Sequence, residues 1–313
     1  MGVVRTALFL IGTTIGAGFL TGAELIRFFG GNGYLPALAL ACAVYCLACA
    51  FFLSLGKKYG GFAQAMRALF GRGAHVAACL TLAVSFVPCA GMLAGLDALF
   101  PGLGPRPSVA GLAVVLLFLG RGMKGVGLLN CILVPGLLLF VAASAKGGVS
   151  LVVPSVPEAS NGLLYAAMNT AFAAPALMDA GRDVRAPVRS AILAGGAIFV
   201  SGAFVLAGIF LAGADAVRSP MPYLYVMRGN RLFFVAAACA VLTSLASALF
   251  PLLRACGRFA GAKKNAAKAV VLLAAFVLSR LGLSGVIDLL YPAVGVFGAV
   301  FSALCIFDEY FFK

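Results

Sequence analysis

The first apolar stretch of the chain is hydrophobic enough to enter a bilayer, yet its composition weakens a helix. Between residues 11 and 24 it contains four glycines and three threonines, and Gly16 and Gly18 lie near its middle. Each glycine costs roughly 1 kcal/mol in a helix interior. Unpaired peptide groups are so costly in hydrocarbon that a break is tolerated only where it lines a cavity or binds a ligand. The sequence therefore predicts a helix interrupted at membrane mid-depth, which is typical of transporter binding sites.

Composition places most of the chain in a membrane. Its 313 residues are 63% hydrophobic and 10% charged, whereas soluble domains are about 45–50% apolar and about 25% charged. The formal net charge is +14, but the basic residues lie between apolar runs and not on a separate soluble domain. We therefore expect the lipid bilayer as the environment of the chain and no nucleic-acid partner.

The residue types of enzyme and metal sites are scarce. All nine cysteines fall inside apolar segments, where they act as small packing residues. His75 is the only histidine, and the sequence contains no catalytic triad, zinc-binding helix motif or phosphate-binding loop. We expect no enzymatic activity, no catalytic residues and no cofactor, and no metal site built from cysteine and histidine.

Ten apolar segments are candidate transmembrane helices, which need about 20 residues each. With a cytoplasmic amino terminus, 16 of the 23 Lys and Arg residues lie on the inner side and 7 on the outer side, so we expect both termini in the cytoplasm. The fourth and ninth segments are short. The predicted spans are residues 3–29, 34–55, 74–100, 109–119, 126–145, 163–179, 190–212, 232–253, 266–281 and 287–307.

The sixth span resembles the first, because it also contains polar and helix-breaking residues near its middle. Asn169 and Thr170 place polar groups at mid-depth, and Pro175 removes a backbone donor, which kinks or breaks a helix. Because five spans precede this one, the second half enters the membrane in the opposite orientation, as in an inverted repeat. The sequence predicts one transmembrane domain, residues 1–313, with repeats at about 1–147 and 160–285 and a tenth helix at about 286–307. The alternative is that Pro175 only kinks an ordinary helix.

At the first span the chain resembles a known group. Residues 12–25, Gly-Thr-Thr-Ile-Gly-Ala-Gly-Phe-Leu-Thr-Gly-Ala-Glu-Leu, followed by Phe28, Phe29 and Gly30, are similar to the opening of YkvI-type bacterial membrane proteins. That group is described as amino acid permeases of the amino acid–polyamine–organocation superfamily. The resemblance implies an all-α LeuT fold in the bacterial inner membrane, with discontinuous helices one and six. Ala23 departs from the group, in which a glutamine often precedes the acid.

The eighth span carries a second match, to sodium-coupled members of the LeuT fold. In those members, carbonyls of helix one before its break hold a sodium ion together with a carbonyl and two adjacent hydroxyls of helix eight. The resemblance implies an ion site made of the carbonyls of Gly12, Ile15 and Ala240 and the hydroxyls of Thr243 and Ser244. The alternative is that both hydroxyls bond to carbonyls of their own helix.

The substrate site is expected at the two breaks. Backbone amides that follow a break would bind a carboxylate, and carbonyls freed by it would bind an ammonium group. Phe19 and Phe172 would close over the substrate, although either ring serves equally well as core packing. The predicted substrate-binding residues are Thr13, Gly16, Ala17, Gly18, Phe19, Asn169, Thr170 and Phe172.

Charged residues near the helix ends are expected to form gates, because charges in membrane segments usually face a cavity or a partner. Arg27 and Asp288 would pair on the outer side. Arg5 would pair with Asp179 or Asp183 on the cytoplasmic side. The alternative for the acids is a simple surface pair with an arginine three residues further on.

Glu24 is grouped with the gating residues and is the acid of greatest interest in the first span. It would bind a substrate amine or carry a proton, so Na⁺ and H⁺ both remain candidate coupling ions. The predicted function is secondary active transport of an amino acid or related small organic solute by alternating access. An amino-acid-sensing or receptor-like protein on the same scaffold is the alternative, and substrate, direction and oligomeric state stay open.

Overall fold

A computed structural model describes residues 1–31, 33–143 and 155–311. Within these ranges the chain is helical and has no β-strand. Six of the described segments are long and apolar enough to cross a membrane, and Val3–Thr14 and Arg106–Leu119 are shorter apolar helices. The helices follow the order of the ten predicted spans, whose number stays a prediction. The predicted ends of the fifth span at 145 and of the first repeat at 147 lie outside the described residues.

The first half of the described chain forms the helices of the first five predicted spans and one further helix, Phe62–Phe70, between the second and third spans. Three short helices together occupy the first span, and two consecutive helices occupy the third. The helices are α1 Val3–Thr14, α2 Ala17–Thr21, α3 Ala23–Phe29, α4 Tyr34–Tyr59, α5 Phe62–Phe70, α6 Ala74–Val84, α7 Phe86–Leu99, α8 Arg106–Leu119 and α9 Met123–Ala143.

The second half begins with a reciprocal cap. The Ser155 hydroxyl accepts a hydrogen bond from the backbone N–H of Glu158, whose carboxylate accepts one from the N–H of Ser155. The same carboxylate accepts from the N–H of Gly33 at 3.0 Å, which ties this helix start to that of α4. The helices are α10 Val156–Gly181, α11 Pro187–Leu211, α12 Ala214–Arg218, α13 Pro222–Val226, α14 Arg231–Ala255, α15 Gly261–Ser279, α16 Gly282–Gly285 and, after a π-helical turn, α17 Tyr291–Phe311.

The first predicted span is interrupted at its glycines. α1 ends at Thr14, and Ile15 and Gly16 are extended, with φ/ψ of −80°/95° and −116°/−160°. The helix resumes as α2 at Ala17, and Gly22, with φ of 79°, separates α2 from α3. Glycine adopts this left-handed conformation without the penalty that a Cβ would bring. The prediction of a broken first helix is confirmed.

The predicted break in the sixth span is wrong, because α10 runs as one helix through Pro175. Asn169 Nδ2 donates to the carbonyl of Tyr165 at 3.1 Å, and Thr170 Oγ1 donates to the carbonyl of Ala166 at 2.7 Å. Both polar side chains therefore bond within their own helix. Proline is tolerated in a membrane helix when side chains and neighbouring helices satisfy the groups it frees.

α10 packs between α4 and α17. Glycines bring the backbones close: a Cβ at Gly56 of α4 would lie 2.0 Å from the carbonyl oxygen of Met178, and one at Gly298 of α17 would lie 2.1 Å from that of Ala167. Small residues permit such approaches in membrane bundles, where packing and not the hydrophobic effect drives association. The close fit holds α10 in place beside the interrupted first helix.

Candidate functional site

A small cavity of about 20 Å³ lies at the break of the first helix. The end of α1 and parts of α3, α7, α10, α14 and α17 surround it. A cavity of this size holds about one water molecule, so the structure is closed around the site. The lining residues are Thr13, Thr14, Glu24, Pro88, Met92, Asn169, Phe172, Ser244, Ala248 and Tyr291.

The Ser244 hydroxyl on α14 meets the interrupted backbone of the first helix. Its Oγ lies 2.8 Å from the carbonyl oxygen of Gly12 and 3.0 Å from that of Ile15. A hydroxyl has one proton, so it donates to one of these carbonyls at a time. The neighbouring hydroxyl of Thr243 donates to the carbonyl of Ala240 at 2.9 Å, within its own helix. The structure thus brings Ser244 to both predicted carbonyls of the first helix, while Thr243 makes the own-helix bond that the alternative expects.

α9 adds a buried polar group that the sequence analysis did not single out. Asn130 Nδ2 donates to the carbonyl of Val126 at 2.9 Å, while its Oδ1 has no hydrogen-bond partner among the described residues. A Cβ at Gly12 would lie 1.6 Å from that Oδ1. The amide oxygen of Asn130 therefore lies directly against Gly12, and only glycine leaves room for it.

Glu24 supplies the carboxylate of the cavity. Its side chain is 4% exposed, and its Oε1 has no hydrogen-bond partner in the part of the chain that the structure describes. The carboxylate lies over Gly18, where a Cβ would be 2.6 Å from Oε2. Tyr165 and Tyr291 lie close enough to interact with it electrostatically. A buried carboxylate without a cation is costly, so this group is suited to bind a proton or a cationic part of a ligand.

Several predicted substrate residues reach the cavity. Thr13, Asn169 and Phe172 line it, and the ring of Phe172 meets that of Tyr291 edge-on, with centroids 5.2 Å apart. The N–H of Ala17 donates to the Met92 sulfur at 3.3 Å. A thioether is a weak acceptor, so the first amide of α2 is poorly satisfied beside the cavity.

Two predicted substrate residues lie elsewhere. Phe19 is fully buried, and its ring points towards α11, where a Cβ at Gly202 would lie 3.3 Å from its Cζ. Thr170 is buried with its hydroxyl bonded inside α10. Both side chains serve as packing in this closed structure. The ring of Phe19 fills the space that Gly202 of α11 leaves.

The expected outer pair forms. Arg27 Nε lies 3.7 Å from Asp288 Oδ1, and both side chains are largely exposed. The surface-pair alternative for Glu24 and Arg27 is wrong, because Glu24 turns into the cavity and Arg27 turns to Asp288.

The expected pairing of Arg5 with Asp179 or Asp183 is wrong, because neither pair forms among the described residues. Asp179 Oδ2 lies 2.7 Å from Arg254 Nη1 of α14, and Oδ1 accepts a hydrogen bond from the N–H of Phe62 at 3.0 Å. Arg5 donates instead to the carbonyl of Lys124 at 3.4 Å. α14 ends beside α10 and supplies the nearer cation, a proximity between distant segments that no local pattern encodes.

Residues of α7 and α17 were missed at the cavity. Pro88 and Met92 come from the middle of the third span and Tyr291 from the start of α17. A proline inside an apolar span, the signal that drew attention to the sixth span, was also present at Pro88. Nothing local distinguishes Met92 from the other apolar residues of its span.

Three solved structures share this architecture. The crystal structure of MhsT in complex with L-phenylalanine has a TM-score of 0.74 at 18% identity, covering 97% of this chain and 88% of that chain. A Na⁺-coupled sialic acid symporter in a substrate-bound outward-open state has a TM-score of 0.65 at 14% identity, covering 99% and 79%. Mhp1, a nucleobase-cation-symport-1 family transporter in a closed conformation with bromovinylhydantoin bound, has a TM-score of 0.60 at 15% identity, covering 97% and 75%. The chain has the LeuT fold that the resemblance implied.

Among curated proteins, the uncharacterized membrane protein YkvI of Bacillus subtilis (strain 168) is 24% identical over 326 aligned positions, which cover 95% of this chain and 93% of that protein. No protein-family model matches the chain. The similarity extends over nearly the whole of both chains and agrees with the resemblance noted at the first span. With its apolar helices, the chain is a multi-pass membrane protein.

Proposed function

We propose that the chain is a secondary active transporter that moves an amino acid or a related small zwitterion by alternating access. One observation carries this proposal: the first helix is broken at Ile15 and Gly16, and the freed carbonyls face the Ser244 hydroxyl beside a cavity. A break of this kind within the membrane is expected only where a solute or an ion occupies the space. The sodium-coupled transport named in the descriptions of the sialic acid symporter and the fold shared with it support the same function.

Sodium is the coupling ion that the oxygen set favours. The carbonyl oxygens of Gly12 and Ile15 are neutral and lie 2.8 and 3.0 Å from the Ser244 hydroxyl of the facing helix. Hard cations bind such oxygens in broken-helix transporters. Rotation of Thr243 Oγ1 away from the carbonyl of Ala240 would add two further oxygens to the set. Without sodium, the carbonyls of Gly12 and Ile15 share the single proton of the Ser244 hydroxyl. With sodium bound, each of these oxygens would contact the ion directly.

The cavity walls suit the two charged ends of an amino acid. The carboxylate of Glu24 and the amide oxygen of Asn169 would accept hydrogen bonds from an ammonium group. The poorly satisfied amide of Ala17 would donate to a carboxylate. Because about 20 Å³ is several times too small for an amino acid, binding requires the first helix, or its neighbours α7 and α17, to move outwards.

We place the protein in the bacterial cell membrane with both termini in the cytoplasm. The excess of Lys and Arg on one side of the predicted spans supports this orientation. In this arrangement the Arg27–Asp288 pair faces the outside, and the Asp179–Arg254 pair lies at the cytoplasmic end.

Uptake into proteoliposomes tests the proposal. Purified protein is reconstituted with sodium outside and potassium inside, and accumulation of radiolabelled amino acids is compared with liposomes in which both sides contain equal sodium. We expect accumulation of at least one amino acid only under the gradient. Ser244→Ala is the companion variant, and it should remain folded but need about tenfold more sodium for the same gradient-driven uptake.

The same preparation distinguishes transport from sensing. Thermal stabilisation by an amino acid without any flux would identify a ligand-binding sensor on this scaffold, and the transport proposal would then be wrong. If no amino acid stabilises the protein and none is transported, the assignment of the substrate class is wrong.

A further inference from the structure

A second, larger cavity lies at the end of the bundle that carries the Asp179–Arg254 pair. It has a volume of about 520 Å³ and opens between α5, α6 and the end of α14. Its polar lining is dominated by cations, whereas the walls between them are apolar. The basic residues that line it are Arg67, Arg72, His75, Arg254 and Arg258.

The positive charge of this cavity is not balanced by the protein. Asp179 is the one acidic residue among its described lining, and that carboxylate already pairs with Arg254 at 2.7 Å. Arg67, Arg72 and Arg258 form no ion pair with an acid within residues 1–31, 33–143 and 155–311. Three guanidinium groups thus face one space without a counter-ion. Guanidinium groups bind phosphate oxygens in paired, charge-assisted hydrogen bonds.

An apolar groove continues from the cavity along the membrane-facing surface. The groove has a volume of about 360 Å³ and runs between α6 and α15. Cys79, Leu82, Ala255 and Arg258 line both spaces, so the cationic pocket and the groove are continuous. The groove is otherwise lined by apolar side chains, among them Phe86, Val270 and Val271.

The helices that flank the groove expose large apolar side chains. On α6, Val76 is 63% exposed and Leu80 is 53% exposed, and on α15, Leu273 is 62% exposed. Large exposed aliphatic side chains are expected on the lipid-facing surface of a membrane protein. A ligand held in the groove would therefore lie in the bilayer, with its charged end in the cationic pocket.

We propose that this pocket and groove bind an anionic phospholipid, with its phosphate between Arg72, Arg258 and Arg67 and an acyl chain along α6 and α15. Charge complementarity selects the headgroup, because the unbalanced guanidinium groups need an anion, and basic pockets between membrane helices bind such headgroups. The apolar groove favours a ligand that carries an acyl chain over a soluble anion. The bound lipid would join α5 and α6 to the end of α14, beside the ion pair of Asp179.

Lipid titration of the purified full-length protein in a neutral detergent tests the proposal. Thermal unfolding is followed while dioleoyl phosphatidylglycerol, dioleoyl phosphatidylcholine or glycerol phosphate is added. We expect stabilisation that saturates with phosphatidylglycerol, and much weaker effects of the other two. The double variant Arg72→Gln with Arg258→Gln should bind phosphatidylglycerol about 30-fold more weakly, equivalent to about 1 kcal/mol for each lost cation.

A matched control removes the same charge elsewhere. Arg121→Gln with Lys263→Gln also lowers the net charge by two, but neither residue lines the pocket or the groove, so the affinity should stay close to that of the wild type. Ala267→Trp fills the groove and should weaken phosphatidylglycerol binding without changing any effect of glycerol phosphate.

Three results would overturn the proposal. Equal stabilisation by phosphatidylcholine would show that charge does not select the ligand. Equal stabilisation by glycerol phosphate would identify a site for a soluble anion and not for a lipid. Equal loss of affinity in the Arg121/Lys263 control would show attraction by net charge alone. Transport activity enters none of these measurements, so they stand apart from the proposed function.

Discussion

Replacing Ser244 by alanine isolates the contact on which the ion site depends. The substitution removes one hydroxyl that lies 2.8 Å from the carbonyl oxygen of Gly12 and 3.0 Å from that of Ile15, and it changes little else in volume. Without sodium, it leaves both buried carbonyls without this donor. An unsatisfied buried polar group costs about 1–3 kcal/mol, so we expect Ser244→Ala to lower the stability of the protein in potassium by that amount.

The effect in sodium is separable, because ion binding stabilises the folded state by an amount that grows with the logarithm of the sodium concentration divided by the dissociation constant. At a sodium concentration 100 times the dissociation constant, binding contributes about 2.7 kcal/mol. The Ser244 hydroxyl is one of five proposed ligands. If loss of the hydroxyl removes about 1.4 kcal/mol of sodium binding free energy, the variant binds sodium about tenfold more weakly. At the same sodium concentration, the stabilisation by sodium then falls from about 2.7 to about 1.4 kcal/mol. Half of the sodium-dependent stabilisation should therefore disappear.

Thermal unfolding in sodium and in potassium, at equal ionic strength, measures both effects. Ser247→Ala is the control, since Ser247 lies one turn further along α14, is equally buried, and donates only to the carbonyl of Thr243 at 3.1 Å. It should lower stability slightly in both salts and leave the sodium-dependent difference unchanged. A Ser244→Ala protein with the full wild-type difference between sodium and potassium would refute the proposed ion site.

Three other changes test separate parts of the structure. Glu24→Gln keeps the shape of the side chain but removes its charge, so proteoliposome uptake should be abolished at every pH, and unchanged uptake would leave Glu24 a packing residue. In Gly56→Val, the new Cβ would lie 2.0 Å from a carbonyl oxygen of α10, so the unfolding temperature should fall sharply. The control Gly196→Ala has open space around it and should be neutral or stabilising by up to about 1 kcal/mol. Arg27→Gln and Asp288→Asn in a double-mutant cycle should show a coupling of about 1 kcal/mol or less, because the pair is exposed; a coupling of several kcal/mol would contradict a solvent-screened contact.

The break in the first helix was predictable because its cause is local. Gly16 carries its own conformational freedom, and Gly22 adopts a left-handed conformation that other residues avoid. That a break frees carbonyls also follows from helix geometry, but the resemblance, and not the break, pointed to those of Gly12 and Ile15. The meeting of Ser244 with Gly12 depended on a resemblance, because the two residues lie 232 positions apart in the chain.

The partners of the buried charges were not predictable from local patterns. Arg5 and Arg254 are equivalent candidates for Asp179 on the basis of sequence position alone, and only the packing of α14 against α10 decides between them. A surface pair of Glu24 with Arg27 was the alternative interpretation, but the left-handed turn at Gly22 rotates α3 relative to α2. That rotation carries Glu24 into the cavity and leaves Arg27 free to reach Asp288.

The contrast between the first and sixth spans shapes how the site would open. Pro175 removes one donor but adds no freedom of its own, and α10 continues through it and is closely packed. The extended residues Ile15 and Gly16 interrupt the helix, and in the proposed transport cycle they would act as the hinge between α1 and α2. The carbonyls of Gly12 and Ile15, at the end of α1, contact Ser244 of α14. A sodium ion bound between them would join the two helices more firmly. Sodium bound there would hold α1 against α14 and keep the cavity closed on that side, and its release would free α1 to swing away and widen a space now limited to about 20 Å³. Coupling would then follow from geometry, because the residues that hold the ion are also those that hold the movable half-helix.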